Sequence, residues 1–261
     1  MDEARASWMK LEMVCIQLCQ GAVSVGCTDK PCIVDSVPDH MVVVAFQKLA
    51  AFIPVVVQKP QNREILIRNG VMREDESMSD YQRKLYQLLL RPNKRIREEI
   101  NLMRNEVHQR SVSIGAHIRT AGLLANDCER VSMVDQQTLE TIPSRIESMR
   151  SLLTNNTKDV SVYLSSDSDK ALSYLREQLN PDYLIIVASN HTRGHTTGKW
   201  LSEGTMDGAL LDLFVLSDCD ALLTTQGSGF SLAAETLSKS SVKQVIPVKR
   251  GRVECERKRS K

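Results

Sequence analysis

The spacing of apolar positions changes along the chain. Met41 to Phe46 and Ile53 to Val57 are short apolar runs of buried-strand type, with Pro54 inside the second. Residues 61–80 are polar and acidic and predict a loop or weak helix. Tyr81, Leu85, Leu88 and Leu89 then recur at helical spacing over 80–90, and Pro92 closes that helix. A second helix starts at Asn93 and aligns Ile96, Ile100, Met103 and Val107 on one face. Beyond it the pattern becomes regular. Strands are predicted at Val112 to Ile118, Val160 to Leu164, Tyr183 to Val187, Ala221 to Thr224 and Val242 to Val248. Helices are predicted between them at Pro143 to Leu153, Asp169 to Leu179, Met206 to Ser217 and Phe230 to Leu237. Residues 120–140 form an irregular insertion and 189–204 a polar loop. Short apolar runs alternating with helices predict an α/β fold, a doubly wound parallel sheet covered on both faces. The domain division that follows is an N-terminal α/β region over 1–108, the sheet over 109–248, and a tail over 249–261.

Composition adds three exclusions. With 42% hydrophobic and 25% charged residues in 261, wholesale disorder and low-complexity architectures are excluded. The net charge of +2 is unevenly placed: the last thirteen residues carry seven Lys/Arg and two Glu, leaving 27 basic against 30 acidic side chains before them. The body is mildly acidic, so no nucleic-acid binding is expected of it. The most apolar stretch, Met41 to Val57, is too short and too interrupted for a spanning helix of about 20 residues. Asp2, Glu3 and Glu12 argue against a secretory signal, which implies a cytoplasmic protein if Met1 is native. Cys15, Cys19, Cys27 and Cys32 have loose spacing and no nearby His, so unpaired or disulfide-linked cysteines are expected there rather than a metal site.

In an open parallel sheet, ligands bind at the carboxyl ends of the strands. The residues leaving each strand are polar: His117-Ile118-Arg119-Thr120, then Ser165-Ser166-Asp167-Ser168-Asp169, then Asn190, His191 and Arg193, then Thr224 to Ser231. The last of these sets Ser228 and Gly229 immediately before a helix. Helix-end N–H groups, hydroxyls and the close approach that glycine allows make a phosphate cradle. The same residues would also make an ordinary capped turn. Arg119 offers a permanently charged, bidentate partner for phosphate, or else a surface ion pair. His117 shares its strand face two positions earlier, as a ligand contact or a satisfied core histidine. Asp167 is placed to cap the following helix or to line a pocket. Asp212 lies in the apolar Leu210 to Phe214 stretch, where a carboxylate needs a partner unless it faces solvent.

Taken in order, these residues resemble the inverting, GDP-fucose-dependent fucosyltransferase superfamily of α1,6-fucosyltransferases, nodulation fucosyltransferases and protein O-fucosyltransferases. The resemblance is carried by His117-Ile118-Arg119, by Val162 to Asp167, by Asp212 to Asp220, and by Ser228-Gly229-Phe230-Ser231, over roughly residues 90–240. It implies a Rossmann-like GDP-sugar-binding lobe of a GT-B-type glycosyltransferase beside an undersized N-terminal region. Arg119 would bind the β-phosphate, and His117 and Asp212 would contact guanine or ribose. Asp167 would form part of the pocket, and Ser228, Gly229, Phe230 and Ser231 would hold the diphosphate. The implied donor is GDP-fucose, the acceptor a glycan or glycoprotein hydroxyl, the compartment the Golgi or secretory lumen, and no metal or other cofactor is required. Thr120, Ala121 and Gly122 stand where α1,6 members carry a second Arg and then Asp-Lys. Asp127 in the insertion is the candidate base, with Glu129 as second choice. Two other expectations stay open: a catalytically inactive GDP- or glycan-binding relative, and an interaction protein acting through its basic tail.

Overall fold

The structure is a computed structural model that describes residues 63–64, 67–68, 72–90, 92–121, 131–188, 203–248 and 251–252. The runs expected to be strands before residue 60, the four N-terminal cysteines, Asp127, Glu129 and the loop carrying Asn190, His191 and Arg193 lie outside the described residues.

Chain contacts divide the molecule into units 1–89 and 90–261. In the first, helix α1 spans Met78–Leu89. The Ser77 hydroxyl accepts the Asp80 N–H at 3.1 Å and so starts the helix.

The second unit opens with helix α2 (Lys94–Val107), whose Asn93 side chain accepts the Ile96 N–H. Strand β1 is Val112–Ile118, β2 is Val131–Ser132, and short α3 and longer α4 cover Gln136–Glu140 and Ile142–Leu153. Strand β3 (Val160–Ser166), helix α5 (Asp169–Gln178), strand β4 (Leu184–Ile186) and helix α6 (Glu203–Asp218) follow. Strand β5 (Ala221–Thr225), helix α7 (Gly229–Leu237), strand β6 (Val242–Ile246) and strand β7 (Gly251–Arg252) complete the unit.

The sheet is five-stranded and parallel in the order β4-β3-β1-β5-β6. The chain therefore winds outward from β1 in one direction, returns, and winds outward in the other. This is the Rossmann-like order, with its switch point between β1 and β5. The doubly wound parallel sheet expected from the sequence is the fold observed.

The two faces of the central strands differ. Ile114, Ala116 and Ile118 of β1 and Val162 and Leu164 of β3 join Ile142, Ile146 and Met149 of α4 and Leu172 and Leu175 of α5 in one apolar core. The alternate positions Ser113, Gly115 and His117 are in register with Ser161, Tyr163 and Ser165 and form a small, polar face. Helix α6 lies close to β1 at Gly115, where an added Cβ would stand 3.0 Å from Cys219 Sγ and 3.1 Å from Leu216 Cδ2. At the turn into β5, Asp220 accepts both the N–H and the hydroxyl of Ser113, at 2.8 and 2.7 Å.

Two boundaries differ from the sequence expectation. Helix α2 belongs with the sheet, not with the N-terminal region ending at 108, because it packs on α6. Arg95 pairs with Asp207, and Arg104 with Asp218 at 3.2 Å. At the other end, Gly251 and Arg252 pair with Ser132 and Val131, so this part of the expected tail is strand-paired. Residues 131–140 of the expected irregular insertion contain β2 and α3.

Candidate functional site

The site grows from the ends of β1, β3 and β5. Because β1 and β3 run in register to Ile118 and Ser166, the next residues, Arg119 and Asp167, emerge side by side. Asp167 Oδ2 accepts from Arg119 Nη1 at 2.6 Å. The chain then folds around this carboxylate. The Thr120 N–H and hydroxyl reach Oδ1 at 2.8 and 2.9 Å, and the Ala121 N–H reaches Oδ2 at 3.0 Å. Ala121 adopts the left-handed φ of 48° that lets two successive N–H groups converge on one anion. Asp167 and Thr120 are buried, and the Arg119 side chain is 13% exposed.

The helix-cap reading of Asp167 is corrected. Ser168 caps α5 by accepting the Ala171 N–H at 3.1 Å, which leaves Asp167 to organise the end of β1. Thr120, the residue in place of a second Arg, is fully buried with its hydroxyl on Asp167.

Across the switch point, Thr225 ties the two strand ends together. Its hydroxyl donates to the His117 carbonyl and accepts the Arg119 N–H, both at 2.9 Å. Gly227 supplies the positive φ of 72° that the turn requires, and Ser228 caps α7 by accepting the Ser231 N–H at 3.3 Å. A Cβ added at Gly229 would meet nothing within 4 Å, so space lies open beside the first turn of α7.

His117 is buried with its ring 4.6 Å from that of Phe230, centroid to centroid. Its Nδ1 lies 2.7 Å from Ser231 Oγ, which also accepts the Thr225 N–H at 3.0 Å. Burial pushes the imidazolium down to about 4; the Asp167 charge opposes this and the Arg119 charge adds to it. His117 is neutral near pH 7.

Asp212 accepts from the hydroxyls of Tyr163 and Ser165, the latter at 2.7 Å. These two residues alternate on β3, on the same face as His117. The carboxylate on the apolar helix is thus partnered by the polar face of the sheet.

The structure brings His117, Arg119, Asp167, Ser228, Gly229, Phe230 and Ser231 to one edge at the switch point, and holds Asp212 on the sheet beneath α6. The Ser231 hydroxyl lies 2.7 Å from His117 Nδ1, whereas Ser228 caps the first turn of α7. The sequence reading placed Thr225 and Ser165 in the polar strand-end clusters and Tyr163 in the β3 motif, but assigned none of the three a role. The period of two along β1 and β3, taken with their register, carries the signal for Tyr163 and Ser165.

The family model described as Nodulation protein Z (NodZ) matches residues 70–252. The chain belongs to the NodZ family. The match bears out the nodulation-protein branch of the superfamily that the motifs resemble. No curated protein matches the chain at the sequence level. Among solved structures, a NodZ α-1,6-fucosyltransferase soaked with GDP-fucose is 16% identical, with a TM-score of 0.43 over 87% of this chain and 70% of that one. An Arabidopsis thaliana FUT1 variant in complex with GDP is 17% identical, with a TM-score of 0.49 over 74% of this chain and 41% of its own. POFUT1 in complex with GDP is 13% identical, with a TM-score of 0.41 over 72% and 59%. The chain thus spans less than two thirds of the length of the latter two proteins. Among the described residues, no helix is long and apolar enough to cross a membrane.

Proposed function

We propose that the protein binds GDP-fucose at the β1–β5 switch point and transfers fucose to a glycan or protein hydroxyl with inversion. The observation that carries this reading is Arg119, a guanidinium fixed by Asp167 at the end of β1, facing the switch point whose other side is the start of α7. Fixed charge and helix-end N–H groups stabilise the negative charge that develops on a departing diphosphate. That supports a mechanism in which no metal is needed. The acceptor oxygen would attack C1 of the sugar as the bond from C1 to the diphosphate oxygen breaks, through an oxocarbenium-like state. A base takes the hydroxyl proton; Asp127, outside the described residues, is the proposed base. In this reading His117 and Asp212 contact the nucleoside and Ser228, Gly229 and Phe230 the diphosphate. Action on glycoproteins in the Golgi lumen belongs to the same proposal.

Thermal unfolding with GDP tests it. A ligand at one hundred times its Kd adds about 2.7 kcal/mol of stability, roughly 5–10 °C in Tm for a unit of this size. The shift is expected to persist in EDTA. Arg119→Ala is expected to weaken GDP binding about 10- to 100-fold, the loss of charge-assisted hydrogen bonds. An unchanged melting curve in millimolar GDP would sink the reading.

The buried Thr120 favours a second reading, a GDP-binding relative without transferase activity, because no second guanidinium stands next to Arg119. Assays of transfer and donor hydrolysis with several nucleotide sugars separate the two. GDP binding with neither reaction supports the second.

A further inference from the structure

The chain of contacts behind His117 fixes where its proton sits. Ser231 Oγ accepts the Thr225 N–H at 3.0 Å, so one lone pair is used and the hydroxyl hydrogen is left to donate. Among the described residues the one acceptor within reach of that hydrogen is His117 Nδ1, at 2.7 Å. Ser231 is itself 2% exposed, so water does not compete for it. An Nδ1 that accepts cannot carry the proton of the neutral ring, and the proton therefore sits on Nε2. Nε2 has no partner among the described residues, yet is not one of their sealed, unpartnered side-chain atoms. His117 keeps 5% exposure, its ring tilted 35° against that of Phe230 at the start of α7.

We propose that Ser231 is a positioning residue that locks His117 as the Nε2–H tautomer, making it a fixed hydrogen-bond donor to an acceptor atom of the bound nucleotide. The order of donation runs from the Thr225 backbone N–H to Ser231 Oγ, from the Ser231 hydroxyl to His117 Nδ1, and from His117 Nε2–H to the ligand. The opposite assignment, an Nδ1–H donated to the second Oγ lone pair, would leave the buried Ser231 hydroxyl hydrogen without an acceptor among the described residues, which favours this one direction. Serine in this position therefore acts through histidine rather than on the diphosphate. The ligand's identity rests on the function proposed above; the tautomer does not.

The test is nitrogen NMR of the full chain carrying 15N-labelled histidine, with the His117 signals identified by their loss in His117→Gln. The ligand-free protein near pH 7 is expected to show His117 as a single neutral tautomer, proton on Nε2. Ser231→Thr, which keeps the hydroxyl, is expected to preserve it. Ser231→Ala is expected to give a mixture of tautomers and a GDP Kd raised about 3- to 10-fold, the range of one lost neutral hydrogen bond. An Nδ1–H or mixed ring in the wild type overturns the proposal, as does an unchanged tautomer in Ser231→Ala. If the tautomer behaves as expected but GDP perturbs no His117 signal, the positioning role stands and the nucleotide reading fails.

Discussion

At the scale of the residue, the site is built from polar groups whose hydrogen-bond partners leave little freedom. His117 gives the clearest consequence, because its pH behaviour follows from burial. Its imidazolium is held down to about 4, against about 6.5 in an unfolded chain. Between those values the unfolded state binds more protons than the native one, so this group makes stability rise with pH from about 4 to 6.5 and leaves it flat above. The full span is about 3 kcal/mol at 1.36 kcal/mol per unit. Urea midpoints of the wild type and His117→Gln, measured across pH 4–7.5, are expected to converge as pH falls; a constant gap would contradict the burial argument. The residue types of the site were legible from strand ends alone: His117, Arg119 and Asp167 each leave a strand at the same edge. Their partners were not legible, because a partner such as Thr225 is 106 residues from Arg119 and is set by register. Sequence order also favoured Asp167 as the cap of α5, whereas the neighbouring Ser168 reaches the helix and frees Asp167 for β1.

At the scale of the element, helices and strands follow the apolar pattern with shifts of a few residues at their ends. Helix α6 extends three residues before the expected Met206, and β3 runs on to Ser166. Reading each strand as a covered apolar run passed over the unequal faces of the sheet. Val112 to Ile118 reads as one apolar run, yet Ser113, Gly115 and His117 occupy one face of it, against α6. That face allows the helix to sit close and places polar groups under Asp212. Gly115→Ala tests the closeness. Its Cβ would crowd Cys219 and Leu216 at 3.0 and 3.1 Å, and overpacking of this kind costs about 1–3 kcal/mol. Cys219→Ala is expected to recover part of that loss when combined with it, read as a coupling energy in a double-mutant cycle of denaturant midpoints. Strictly additive losses would place the strain elsewhere.

At the scale of the whole molecule, strand order makes the site. Alternating strands and helices announce a parallel sheet, but the order β4-β3-β1-β5-β6 depends on the direction in which the chain returns after β4. That return brings the end of β1 beside Thr225 to Ser231 and opens the edge between them. The N-terminal boundary at Leu90 was hidden because α2 looks alike whichever unit it serves, and its packing, chiefly on α6, assigns it. The same packing has a kinetic consequence. Cys219 is a buried, free thiol whose ionisation burial pushes up, and α6, β1 and the turn into β5 enclose it. A thiol in that position reacts only when the helix leaves the strand. Pulsed alkylation read at the peptide containing Cys219 thus becomes a clock for separation of α6 from the sheet. Labelling is expected to slow when GDP is bound and to quicken in Gly115→Ala, while rapid labelling of the folded, unliganded protein would mean that the helix visits an open state without unfolding the rest.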